Sequence, residues 1–273
     1  MGEHKKSERI AAIVKILTDN PNKRFHLSYF MNMLSSAKST ISEDIDTINN
    51  MFTQMGMGRV VTEPGAAGGI FYLPVGSKEK YADFINRLCM DLSKKERIIP
   101  GGFLYTADLL YSPGICSIIG EIMATCFADK KPEYVVTVET KGIPPAFMAA
   151  RALGVPIVIC KHDSRVTEGS SVSINYVSGS TKDIRTMSLS RRSMLPHSRV
   201  IIVDDFMKGG GTARGIVNLM KEFNAQVLGT GVVVATKEPE TKLVDDYISL
   251  INLVSIDEKR GIIRLESGNW GKV

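Results

Sequence analysis

The sequence predicts an α/β protein: a parallel sheet flanked by helices, preceded by a small domain of three helices and a β-hairpin. Three stretches carry this. Val200–Val203 is a run of four β-branched residues, the pattern of a strand buried on both faces, and Gly209–Thr212 leads from it into a helical pattern. Tyr134–Cys160 alternates strand, turn, helix and strand, as parallel sheets require. Before Val75, three helical patterns are followed by two short strand patterns around a glycine-rich tip.

The first helix is expected over Ser7–Asn20, with Ile10, Ile13, Val14 and Leu17 on one face and Ser7 as cap. Asn20-Pro21-Asn22 ends it. A short helix follows over Leu27–Leu34, then a longer one over Ala37–Met55 with Ile41, Ile45, Ile48, Phe52 and Met55 inward. Arg59–Thr62 and Ile70–Leu73 read as a hairpin around the tip Pro64–Gly69. This order is that of a winged helix-turn-helix, whose recognition helix reads DNA with its N-terminal turns. That helix begins Lys38-Ser39-Thr40-Ile41-Ser42, and Lys38, Ser39, Thr40 and Ser42 are the expected DNA contacts. Lys5, Lys6 and Arg9 are expected to touch phosphates from the N-terminus, and Arg59 from the wing. Glu43, Asp44 and Asp46 would be repelled by phosphates, so only the first turn is expected deep in a groove. The competing reading is a helical cap that binds another protein or completes a dimer.

Pro74–Ser77 is the expected boundary, giving domains over residues 1–74 and 75–273. Helices are expected over Lys78–Leu92, Ile115–Phe127 and Pro144–Leu153, and strands over Tyr134–Val138 and Val155–Cys160. Val172–Val177 and Ile184–Leu189, joined through Ser178-Gly179-Ser180, read as a projecting hairpin that could close over a site. Val227–Ala235 and Leu250–Val254 are expected to complete the sheet.

Ligands of open α/β sheets bind at the carboxyl ends of strands. There the chain reads Asp204-Asp205-Phe206-Met207-Lys208-Gly209-Gly210-Gly211-Thr212. Backbone N–H groups at a helix start favour phosphate, and glycine permits close approach. No Lys separates the last glycine from Thr212, which excludes a Walker A loop. The acids precede the glycines, which excludes a dinucleotide fingerprint. Two carboxylates beside a phosphate cradle suit a sugar phosphate, with Asp204 and Asp205 accepting hydrogen bonds from vicinal hydroxyls. The stretch resembles the phosphoribosyl pyrophosphate (PRPP) motif of type I phosphoribosyltransferases. Its site would comprise Asp204 through Thr212. A second polar turn, Glu139-Thr140-Lys141-Gly142, offers N–H groups and a cation to an anion. Thr137–Cys160 resembles xanthine phosphoribosyltransferases. That resemblance implies a pyrophosphate role for Thr140, Lys141 and Gly142, and a phosphate contact at Lys161, with His162 a milder substitute.

The chain has 273 residues, 44% of them hydrophobic, and a net charge of +5. Eight basic and seven acidic residues precede Val75, so the basic balance is not concentrated there. A polyanion partner is permitted by charge but not argued by it. Cys89, Cys116, Cys126 and Cys160 form no C-x-x-C pair and read as buried thiols in a reducing cytoplasm. The polar Met1–Arg9 stretch gives no signal peptide, and no apolar run approaches a membrane span. His4, His26, His162 and His197 lack metal spacing, so no metal site and no catalytic residue are expected.

A transferase needs more than a PRPP cradle. Lys208 stands where purine transferases often carry an acidic or small residue, and a protonated lysine is a poor general base. The whole chain, from about Ser7 to Ile251, resembles the pur operon repressor family of Gram-positive bacteria. The resemblance is carried by Ser39–Asp44, Pro64–Gly69, Val166–Ser170, Ser173–Ser180 and Asp204–Lys208. It implies a homodimeric repressor of purine biosynthesis and transport genes that binds operator DNA. It implies PRPP, with magnesium, as inducer, and the guanine alarmone ppGpp as a competing ligand with Phe103 or Tyr105 near its base. The alternatives are a catalytically active purine transferase, xanthine-type, that doubles as a regulator, and a protein-binding module with a vestigial pocket.

Overall fold

The computed structural model describes residues 4–65, 68–162, 169–177 and 183–272. The chain forms two compact units, Met1–Lys80 with Arg151–Gly154, and Tyr81–Ala150 with Val155–Val273.

In the first unit, α1 spans Lys6–Asp19, α2 Leu27–Leu34 and α3 Lys38–Gln54. Helix α1 starts one residue earlier than expected, because the Glu8 carboxylate caps it by accepting the Lys5 N–H at 2.9 Å. Ser7 lies inside the helix. One face of each helix meets in a core of Ile13, Leu17, Phe30, Leu34, Ile41, Ile45, Ile48 and Phe52. Met55, expected inward, is the residue just past α3 and is exposed. The wing is longer than its apolar runs: β1, Met57–Glu63, pairs antiparallel with β2, Gly69–Gly76. Phe25 and Ile70 exchange both backbone hydrogen bonds, at 2.9 and 2.8 Å, so a third short segment seats the wing against the helices. The tip residues Ala66 and Ala67 lie outside the described residues.

Helix α4, Lys78–Leu92, turns Tyr81, Phe84, Ile85, Leu88 and Leu92 inward. A two-residue pairing of β3, Ile98–Ile99, with β4, Phe103–Leu104, precedes the short helix α5, Ala107–Leu110, and α6, Pro113–Phe127. Pro113, pre-set for a first helical turn, starts α6 two residues before its apolar face. Next come β5 (Tyr134–Val138), α7 (Ile143–Leu153) and β6 (Ile157–Cys160). Then follow β7 (Ser171–Val177), β8 (Ile184–Ser190), β9 (Arg199–Met207) and α8 (Gly211–Lys221). The chain closes with β10 (Gln226–Thr236), β11 (Tyr247–Asp257) and β12 (Ile262–Ser267).

The main sheet has the order β12-β11-β10-β9-β5-β6 and is parallel apart from β12. Strand β12, absent from the sequence reading, adds antiparallel to β11. The central strands are buried on both faces: Val200, Ile201, Ile202, Val203, Val135 and Val136 have no exposure. Each such side chain contributes about 1.5–3 kcal/mol. Helix α8 packs Ile216, Leu219 and Met220 on one face of this sheet, in a core shared with Val172, Tyr176 and Leu189 of the β7–β8 hairpin. The hairpin's joining residues Ser178–Ser180 and the stretch Val166–Glu168 lie outside the described residues.

Candidate functional site

Strand β9 is longer than its apolar run and carries both acids within it. Asp204 pairs in register with Val232 of β10, and Met207 with Ala235. The chain then turns at Gly210, whose φ of +81° only glycine adopts without strain, and α8 begins at Gly211. A cavity opens here, bordered by Asp204, Phe206, Met207, Lys208, Gly209, Gly210, Gly211, Thr212, Ala213 and Val232. The expected PRPP stretch is thus brought together, except for Asp205. That residue borders a separate apolar cavity with Leu88, Thr106, Leu110, Ile119 and Val234. The side chain of Met207 also departs from expectation: it is buried in a cluster with Ala213, Val232, Ala235 and Val244. Lys208 is exposed.

Burial raises the pKa of Asp204 well above the usual carboxylate range, and the charge of Asp205 raises it further. Burial raises Asp205 as well, opposed by its hydrogen bond to Asp204 and by the Lys141 ammonium. The Asp205 N–H donates to Asp204 Oδ1 at 2.9 Å. Both shifts favour the protonated form of the pair, and a ligand that supplies hydroxyl donors or positive charge would favour the ionised one. Burial pushes the pKa of Tyr176, from β7, up. Its ring packs against Gly215 and the core face of α8, which ties the projecting hairpin to the helix that follows the glycine loop. Sequence reasoning did not single it out, since an aromatic in a strand signals only packing.

The second turn leaves β5 beside this cavity. The Glu139–Thr140 peptide is cis. The His162 N–H donates to Glu139 Oε1 at 2.7 Å, which pins the turn to the end of β6. Thr140 and Lys141 are exposed and Gly142 is buried. A side chain at Gly142 would collide with Asp204 Oδ1 and with Thr137 Oγ1. The glycine therefore lets the turn close directly over the acidic strand end. Lys161 exchanges backbone hydrogen bonds with Ser188 of β8, at 2.9 and 2.8 Å, at the same end of the sheet. Thr137 Oγ1 and His162 Nδ1 are buried without a hydrogen-bond partner. Phe103 and Tyr105 are exposed around β4 and do not border the glycine-loop cavity. No group of three or more metal-ligating side chains occurs among the described residues. Burial pushes the Cys89 thiol up to about 11 and the Cys116 and Cys160 thiols to about 12, which disfavours the reactive thiolate at these three positions.

In the first unit, Lys38 and Ser39 are exposed at the start of α3, and Thr40 and Ser42 are half-buried. Ala37 supplies no side-chain cap, so the first N–H groups of α3 are left for an anion or water. A groove between α3 and the wing is bordered by His26, Lys38, Ser42, Asp46, Glu63 and Gly69. Lys5, Lys6 and Arg59 are exposed. Arg9 corrects the sequence reading. Its guanidinium is buried, donating to both oxygens of Asp44 at 2.6 and 3.3 Å and to the His4 carbonyl at 2.8 Å. Arg9 is therefore an internal brace and not a phosphate contact, and Asp44 faces Arg9 and not the DNA. The period of α1 hid this, because Arg9 occupies a face position next to Ile10 and Ile13.

A DNA-binding type of domain on the same chain as a phosphoribosyltransferase fold points to a transcriptional regulator built on an enzyme fold. The matches to known proteins agree. Residues 5–74 match the family described as bacterial purine repressor, N-terminal, and residues 106–266 match the phosphoribosyl transferase domain. The purine biosynthesis transcriptional repressor PurR of Bacillus subtilis is 45% identical over 266 residues, covering 97% of this chain and 93% of that protein. The purine biosynthesis transcriptional activator PurR of Lactococcus lactis is 37% identical over 97% of this chain and 98% of its own. A Lactococcus lactis xanthine phosphoribosyltransferase is 34% identical over 51% of this chain and 73% of its own. Among solved structures, adenine phosphoribosyltransferase from Saccharomyces cerevisiae superposes with a TM-score of 0.55 at 20% identity, covering 62% of this chain and 98% of that one, a likeness of fold. The chain belongs to the PurR family of purine biosynthesis transcriptional regulators.

Proposed function

We propose that this protein represses purine biosynthesis and transport genes by binding operator DNA, and that PRPP, with magnesium, is the inducer that releases it. The observation that carries the reading is the cradle of Asp204 and the Gly209–Thr212 loop on a chain that matches the purine repressor N-terminal family over residues 5–74. The 5′-phosphate sits on the loop and the first N–H groups of α8. The ribose hydroxyls donate to Asp204. The pyrophosphate lies in the turn of Thr140, Lys141 and Gly142, with Lys161 beside it. The guanine alarmone ppGpp competes for the same cradle, and Phe103 and Tyr105 reach its base only if the β3–β4 pairing moves. The regulator acts as a homodimer in the cytoplasm and performs no transfer reaction.

Electrophoretic mobility shift with operator DNA tests this. PRPP is expected to release wild-type protein, and Asp204→Ala/Asp205→Ala to bind operator but ignore PRPP. Binding strengthened by PRPP would overturn the reading of PRPP as inducer. The half-chain likeness to a xanthine transferase favours a second reading, residual catalysis. Incubation with PRPP and each purine base, with nucleotide and pyrophosphate as readout, decides it.

A further inference from the structure

Thr137 lies on β5 with no exposed surface, and its Oγ1 is buried without a partner. Valine would fill the same space without a hydroxyl. A buried hydroxyl that makes no hydrogen bond is a net cost to folding, so its presence needs a reason. The glycine between them marks a polar group that faces the same gap. A Cβ built at Gly142 would meet Thr137 Oγ1 at 2.6 Å, and it would also run into Asp204 Oδ1. The hydroxyl and the carboxylate therefore converge on the gap that Gly142 keeps open at the carboxyl end of β5 and β9. Asp204 Oδ1 already accepts the Asp205 N–H. Before a ligand binds, burial and the neighbouring Asp205 favour the protonated form of Asp204. An ionised carboxylate buried at this depth needs several donors.

We propose that Thr137 is a positioning residue for the ribose-binding carboxylate. Its hydroxyl rotates to donate to Asp204 once a sugar diol occupies the pocket, which fixes the carboxylate in the orientation that accepts the diol. Thr137 touches no ligand and acts through Asp204 alone. The proposal rests on the sugar-phosphate reading of the pocket and deepens it.

Calorimetry on the full chain tests it, with PRPP, ribose 5-phosphate and inorganic pyrophosphate as probes. Thr137→Val is expected to weaken PRPP and ribose 5-phosphate by roughly tenfold or more, the worth of a hydrogen bond to a charged group. Pyrophosphate, which has no diol, is expected to bind as to wild type, and the melting temperature to hold or rise. Thr137→Ser is expected to recover the sugar affinities. Wild-type affinity for PRPP in Thr137→Val overturns the proposal, as does an equal loss for pyrophosphate, which would mean a distorted turn. Failure of Thr137→Ser to recover also overturns it. If wild-type protein itself binds no PRPP, the reading of the pocket falls and this proposal falls with it, an outcome distinct from the others.

Discussion

At the residue scale the two buried carboxyl sites differ in their partners. Asp204 is held at a raised pKa by burial and by Asp205, with Lys141 acting through Asp205 and Tyr176 nearby. A carboxyl whose folded pKa exceeds its unfolded value of about 3.9 favours the folded state below that value. It loses this contribution as pH rises through the raised value. The ligand-free protein is thus expected to lose stability as pH rises from about 4 through the raised pKa of Asp204. Asp204→Asn should remove the loss and raise the melting temperature at about pH 7, by about 2–4 °C for each kcal/mol relieved, while ending the response to PRPP. Thermal melts across pH check the first effect and PRPP titration the second. Asp44 has the opposite arrangement, with an arginine fork on a carboxylate that is 1% exposed. Arg9→Met leaves that charge unpaired and should cost about 3–5 kcal/mol of stability in the first unit. Arg9→Met with Asp44→Leu should recover most of it, and denaturant unfolding measures both. The acids of β9 were legible in sequence because a glycine run and a helical pattern come directly after them. Arg9 was not, since a lone basic residue near a terminus reads as a surface charge until its partner 35 positions on is folded against it.

At the element scale, periodicity was a good guide where an element has one buried face and a poor one at its ends. Helix α3 follows its apolar positions from Ile41 to Phe52, but its end is set by backbone geometry after Gln54, which leaves Met55 outside. Strand β12 escaped notice because it is short and only Ile263 in it is buried, so its alternation extends over too few residues to stand out. The exposed start of α3 is expected to read DNA. Lys38→Ala and Thr40→Ala should weaken operator binding without changing PRPP affinity, and Lys38→Ala should lower the salt slope of operator binding by about 1. Fluorescence anisotropy at several salt concentrations measures both; unchanged affinity would remove α3 from the recognition role. In the anion turn, Gly142→Ala should abolish PRPP binding, because its methyl group would occupy the space of the Asp204 carboxylate. Titration with PRPP tests it, with operator binding as the control for folding.

At the scale of the whole molecule, the expected behaviour is a reciprocal coupling between two sites. If PRPP weakens operator binding by some factor, typically about 5–150-fold, operator must weaken PRPP binding equally. Calorimetry with PRPP, with and without operator DNA, measures that factor, and equal affinities would end the switch. Lys141→Ala then separates two routes. Loss of operator affinity without PRPP would mean that the turn itself meets DNA phosphates, and unchanged affinity favours closure of the β7–β8 hairpin. The chain order of strand, acids, glycines and helix determined the class of ligand pocket, and three helices with a hairpin determined the DNA-binding type of domain. Both signals are local: turn chemistry and one-face periodicity are written in neighbouring residues. Only the folded chain decided that Arg9 braces Asp44, that Asp205 borders an apolar cavity while Asp204 meets the glycine loop, and that Gly142 keeps open a gap bordered by both Thr137 and Asp204. Those facts depend on contacts between residues tens of positions apart, whose burial and pairing no local pattern records.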